Sequence, residues 1–266
     1  MLDEKTPPIV RGHHVPLAEK EPIGYGLFIA QLVTVLVVYL VMSTVPAIPA
    51  IIAQAQAGDT GEPDLGSFTV AATVIVGMAS ALFVAWLWLR RERRVAEAWN
   101  FSRPQSWPRT LAIAAAATGG TIAIFAGGTA LVEALGLPAP DATFVLELVT
   151  ESPLAFAIWI VGVAILAAGL GEEMLWRGFL MDRLERLGGL RGRVWLVLIV
   201  QAVLFGLPHS YQGAGGMIVT GMVGLLFGWI RIMQRGNLWA VFLAHAAVDV
   251  IMMSVAYAGE LELMAG

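Results

Sequence analysis

Seven apolar runs divide the chain, near residues 23–46, 67–89, 110–135, 153–176, 194–210, 214–233 and 238–257. A helix needs about 20 such residues to cross the hydrocarbon core. The pattern therefore predicts an all-α polytopic membrane bundle of about seven transmembrane helices, within a range of six to eight. The fifth run is short and holds Gly206 and Pro208, so a broken helix is expected there. The first runs on through Pro46 and Pro49 toward Gln54, which blurs its end.

The polar segments between the runs are sorted by charge. Lys5, Arg11 and Lys20 precede the first run, and Arg90, Arg91, Arg93, Arg94, Arg103 and Arg109 follow the second. Arg177, Arg183, Arg186, Arg191 and Arg193 follow the fourth, and Arg231 and Arg235 the sixth, which accounts for all 16 Lys and Arg. In a seven-helix chain every one falls on the same side, while the opposite loops hold acids such as Asp59, Glu62, Asp64, Asp141 and Glu147. Short cytoplasmic loops collect Lys and Arg, so the N-terminus is expected inside the cell and the protein in the cell membrane.

Composition agrees: 58% hydrophobic, 14% charged and a mean hydropathy of +0.76 exclude an ordinary soluble domain. The absence of cysteine excludes disulfides, thiolate catalysis and cysteine-based metal sites. Residues 1–22 are polar and hold Pro7, Pro8, Pro16 and Pro22; they read as a disordered cytoplasmic tail, not a signal peptide. Residues 23–266 read as one membrane domain without internal repeats. Gly224 and Gly228 form a small-xxx-small pair, for which close packing within the chain is the plainer reading than a dimer face.

The candidate chemistry lies in the C-terminal half. Glu172 and Glu173 are adjacent at the end of the fourth run, and Glu173 is four residues ahead of Arg177, the favourable order for an ion pair on one helix face. Glu172 points about 100° away, without that partner. His209 and His245 fall in or beside later runs, whereas His13 and His14 lie in the polar tail. A lone intramembrane histidine is more often a hydrogen-bonded core residue than a ligand, but His245 is followed at i+4 by Asp249. Two carboxylates and two imidazoles suffice to activate water by general base and to donate to an oxyanion. They also suffice for a two-His, one-carboxylate metal site built from Glu172, His209 and His245. No HExxH, GxSxG or Gly-x-Gly-Asp motif is present. Interfacial snorkelling accounts equally well for Arg177, packing for Phe205, and an aromatic belt for Trp159, Trp176, Trp195, Trp229 and Trp239.

Glu172-Glu173-x-x-x-Arg177, Phe205-x-x-x-His209 and His245-x-x-x-Asp249, in that order, resemble the motifs of the CAAX-protease and bacteriocin-processing (Abi) family of intramembrane proteases. The resemblance covers about residues 153–258, the expected catalytic core. It implies hydrolysis of a peptide bond in a membrane-associated or lipidated peptide or protein, without a covalent intermediate. By that analogy Glu172 activates water with His209 beside it, His245 and residue 249 stabilise the oxyanion, and Glu173, Arg177 and Phe205 support the site. The family is described both as metal-dependent, with a divalent cation such as zinc, and as metal-free; both stay open. Asp249 stands where the commonest pattern has Asn, and an ionised Asp accepts hydrogen bonds but cannot donate them. The expected partners are the bilayer and a peptide or protein substrate, not nucleic acid. A catalytically idle immunity or scaffold protein of the same family is the alternative. A proton-coupled transporter is disfavoured because the first three runs hold no partner set of polar residues.

Overall fold

The computed structural model describes residues 21–265 apart from 59, 60, 62 and 64. The tail with Lys5, Arg11, His13, His14 and Lys20, and the loop acids Asp59, Glu62 and Asp64, lie outside the described residues.

The helices are α1 (Tyr25–Thr44), continued through a 3-10 turn into α2 (Ile48–Gln56), α3 (Ser67–Arg91), the short α4 (Val95–Ala98), α5 (Trp107–Ala134) and α6 (Thr143–Thr150). A long helix follows, entered as α7 (Pro153–Ile158), wound with π-type hydrogen bonding over Trp159–Leu180, and ended by α8 (Met181–Leu184). Last come α9 (Val194–Gly206), a 3-10 segment Leu207–Gln212, α10 (Gly213–Met233) and α11 (Trp239–Ala265). Among the described residues no strand forms, and six helical segments are long and apolar enough to cross a membrane. The chain is a multi-pass helical membrane protein.

The fifth of these segments, Val194–Met233, is 40 residues long and is folded in two. A Cβ on Gly206 would meet the Met217 carbonyl at 2.4 Å, and one on Gly224 would meet Ala202 Cα at 3.1 Å, so α9 and α10 run antiparallel in close contact. The turn is made where His209 leaves helical geometry and Gly213 takes φ 78°. The expected break at Gly206 and Pro208 is thus a reversal, and its two arms are the fifth and sixth apolar runs. Gly224 and Gly228 pack inside this hairpin, which is the plainer of their two readings.

The fourth helix corrects an expectation. It does not end before Arg177 but runs on to Leu184. A sequence-based end at 176 puts Glu172 about one turn from the end of the helix; the observed end at Leu184 puts it about three turns away.

Charge divides the bundle end from end. At the basic end, Ile23 pairs with Leu187, Asn100 pairs with Asn237, and the Tyr25 hydroxyl donates to the Gly188 carbonyl at 2.5 Å. Buried ion pairs tie the helices there: Arg94 to Asp182 at 2.5 Å, Arg186 to Glu92 at 2.5 Å, and Arg231 to Glu185. Gln31 of α1 donates to the same Glu92 at 2.5 Å. Arg183, Arg186 and Arg231 are buried in this network, where an exposed cytoplasmic loop was expected. At the opposite end Ser67 N–H donates to Glu151 at 3.0 Å, and Asp141 N–H donates to the Gln212 carbonyl at 3.1 Å.

Glu92 lies beyond the end of α3. Burial alone would raise its carboxyl, but the Arg186 and Gln31 hydrogen bonds and the charges of Arg183 and Arg186 hold it below its ordinary 4.5. A lowered carboxyl stabilises the fold above its unfolded pKa, and that contribution is lost as pH falls through the folded value. Glu92→Gln is therefore expected to lower the apparent Tm in detergent at pH 7 and to flatten its fall below about pH 4.5. An apparent Tm at pH 7 equal to the wild type contradicts this account of the network.

Candidate active site

Three elements bring the candidate residues together. Gly169 on the long helix makes the first approach possible: a Cβ there would meet Ala246 Cβ at 2.8 Å and Ala246 Cα at 3.1 Å. The neighbouring His245 of α11 thereby reaches Glu173, with Nδ1 at 2.8 Å from Oε1. The same oxygen accepts from Arg177 Nη1 at 2.8 Å, the i+4 pair expected from the sequence. His245 Nε2 faces Asp249 Oδ2 at 3.7 Å. The imidazole thus lies between two carboxylates, and only its doubly protonated form donates from both nitrogens.

Arg177 is fully buried, at 0% exposure, so it does not snorkel to the interface. Its guanidinium lies 4.0 Å from the Phe205 ring centre and 5.2 Å from that of Phe227. Arginine stacks on aromatic faces where an ammonium would remain hydrated, and these rings cover the Nε and Nη2 atoms that make no hydrogen bond. Phe205 also contacts both histidines, with ring centres 5.2 Å from His209 and 6.4 Å from His245. It packs against Arg177 and both imidazoles.

His209 sits on the Leu207–Gln212 segment with Nδ1 at 3.0 Å from the Phe205 carbonyl. A carbonyl only accepts, so Nδ1 carries the proton and Nε2 of the neutral ring is an acceptor. Glu172 shares neither the Arg177 nor the His245 contact: its Oε2 is buried with no hydrogen-bond partner among the described residues. Tyr39 and Tyr211 stand within electrostatic reach of it.

Two contributors were missed by sequence reasoning. Phe227, 1% exposed, lies 5.7 Å ring to ring from His245, and Trp176 lies edge-on to Phe205 at 5.7 Å. An aromatic inside an apolar run carries no sign that it faces a site rather than lipid. The aromatic-belt reading suits Trp195 and Trp229, which are exposed and stacked at 5.4 Å. It fails for Trp176 and for Trp159, which is 2% exposed and donates to Ser67 Oγ at 2.8 Å.

A metal fits poorly. Among the described residues no group of three or more His, Asp and Glu side chains is arranged to hold an ion, and both His245 nitrogens are directed at carboxylates.

Two adjacent carboxylates and two histidines in a helical membrane bundle supply groups that can accept a proton from water and orient a carbonyl. The family model described as type II CAAX prenyl endopeptidase Rce1-like matches residues 154–251, which span every residue from Glu172 to Asp249. The family resemblance carried by the three motifs is shown over that stretch; the first three membrane segments lie outside it. No curated protein and no solved structure matches the chain.

Removing one member of a buried pair strands the other charge, at a cost of about 3–5 kcal/mol. Arg177→Ala is therefore expected to lower the apparent Tm strongly, and Arg177→Lys to restore it only in part because an ammonium cannot lie flat between Phe205 and Phe227. Thermal unfolding in detergent checks both; an Arg177→Ala protein as stable as the wild type contradicts the clamp.

Proposed function

We propose that the protein is an intramembrane endopeptidase that hydrolyses a peptide bond of a membrane-associated or lipidated substrate, with Glu172 as the general base. The observation that carries this reading is the contrast within the pair: Glu173 is committed through Oε1 to Arg177 and His245, while Glu172 makes no hydrogen bond among the described residues; the second oxygen of each, Oε2, is buried without a partner. Buried carboxylate oxygens are otherwise almost always hydrogen-bonded.

Glu172 takes a proton from water as the water oxygen bonds to the scissile carbonyl carbon, and His209 Nε2 accepts the second water proton in a hydrogen bond. The carbonyl oxygen becomes an oxyanion facing His245, whose ring is held by its hydrogen bond to Glu173, with Asp249 3.7 Å from Nε2. As the C–N bond breaks, the proton held by Glu172 passes to the leaving amine, and an acid and an amine depart. Asp249 acts here on His245 through its charge, at 3.7 Å from Nε2. The ion pairs of the described arginines mark the cytoplasmic face by the positive-inside rule. No metal enters these steps.

The test is cleavage of a panel of peptides, lipidated and plain, by the purified protein. Glu172→Gln is expected to abolish cleavage and His209→Ala to reduce it at least about 100-fold, both at wild-type Tm, with a strong chelator leaving the wild-type rate unchanged. Cleavage that survives Glu172→Gln refutes the assignment. A cellular phenotype that survives both substitutions supports the idle scaffold instead, and loss of activity to the chelator restores the metal.

A further inference from the structure

We propose that Tyr211 is a further catalytic residue, whose hydroxyl donates a hydrogen bond to the scissile carbonyl oxygen as negative charge develops on it. The inference rests on the hydrolytic reading above and deepens it. It begins from a shortage of donors. Glu172, Glu173 and Asp249, when ionised, only accept, and His209 presents Nε2 as an acceptor once Nδ1 is bound to the Phe205 carbonyl. Arg177 lies buried against Phe205, and His245, with Nδ1 bound to Glu173, offers at most Nε2, which stands 3.7 Å from Asp249, too far for a hydrogen bond. A site that must stabilise an oxyanion needs a neutral donor from its open side.

Tyr211 has the position for it. It lies two residues beyond His209, its ring 6.0 Å from the imidazole, and it is 56% exposed, on the accessible flank of the site. The segment that carries it is braced from outside: Asp141 N–H bonds the Gln212 carbonyl at 3.1 Å, and a Cβ on Gly215 would meet the Pro138 carbonyl at 2.2 Å. The Tyr211 oxygen accepts from Gln212 Nε2 at 2.9 Å, and among the described residues nothing accepts its own proton. An O–H whose oxygen already accepts a hydrogen bond is polarised toward donating. The proton stays on Tyr211 throughout; only a hydrogen bond forms and is released with the product.

Steady-state kinetics on whichever peptide the wild type cleaves test this, with Tyr211→Phe keeping the ring and losing only the hydroxyl. One oxyanion donor is worth about 100-fold or more in kcat. Tyr211→Phe is expected to lower kcat by about that factor with KM within about twofold, at unchanged Tm. The decisive arm is the cycle with Asp249→Asn, because the new amide can donate in the place of the lost hydroxyl. In that background the loss on Tyr211→Phe should shrink to about 10-fold or less, which a packing role for Tyr211 would not produce. Tyr25→Phe, which removes a hydroxyl bonded to Gly188 at the basic end, should leave kcat unchanged. A Tyr211→Phe kcat within about twofold of the wild type, with Glu172→Gln inactive, overturns this proposal and leaves the hydrolytic reading standing; equal losses in both Asp249 backgrounds overturn it as well. A wild type that cleaves nothing in the panel removes the hydrolytic reading and this inference with it.

Discussion

The site depends on one oxygen atom. Glu173 Oε1 receives Arg177 from its own helix and His245 from α11, both at 2.8 Å, fully buried among the helices. A carboxylate at that depth is costly unless it is paired and hydrogen-bonded, and a lone Arg–Glu pair would satisfy the charges without fixing any neighbouring helix. The His245 bond adds that second constraint, and it is reachable only because Gly169 lets the long helix and α11 meet at Ala246. With Glu173 so held, the adjacent Glu172 is presented on a different face with its oxygen uncommitted. The pair thus divides its work by geometry: the i, i+4 partner fixes one acid, and the 100° turn to the next residue frees the other.

A buried polar site in the middle of a bundle must be held without a hydrophobic driving force between helices, since lipid is as apolar as leucine. Two devices serve here. Small residues allow backbone contact, in the α9–α10 hairpin and at Gly169. Ion pairs at the basic end then tie α3, α8 and α10 together through Glu92, Asp182, Glu185 and their arginines, with Gln31 joining α1. Arg94, outside the spans, is raised above the ordinary arginine range; burial works against this, and the Asp182 carboxylate outweighs it. The charges read from the sequence as a signal of topology are also, in the fold, the clamp over one end of the site.

Much of this was legible in the sequence because membrane chains write their spans in composition and their sidedness in Lys and Arg. The Glu173–Arg177 pair followed from helical spacing alone, and the order of the three motifs named the residues that converge. What the sequence concealed was tertiary. Arg177 and the polar residues after it look like the end of a span, yet the helix continues to Leu184, where Asp182, Arg183, Glu185 and Arg186 find partners on α10 and the loop after α3. Phe227 and Trp176 are indistinguishable from lipid-facing aromatics until the hairpin and the long helix bring them against Arg177, His245 and Phe205. The reversal after Gly206 was foreshadowed by Pro208, but its sense depends on the antiparallel packing of α9 on α10, which no local signal encodes.

The most direct test of the central claim is nitrogen NMR of histidine-labelled protein in lipid nanodiscs, with His13 and His14 replaced so that only two rings report. His245 Nδ1 is expected to carry a proton in a strong hydrogen bond that is lost on Glu173→Gln, and His209 to be the neutral tautomer protonated at Nδ1. A His245 signal indifferent to Glu173→Gln would mean that the carboxylate does not hold the imidazole, and the division of roles between Glu172 and Glu173 would fall with it.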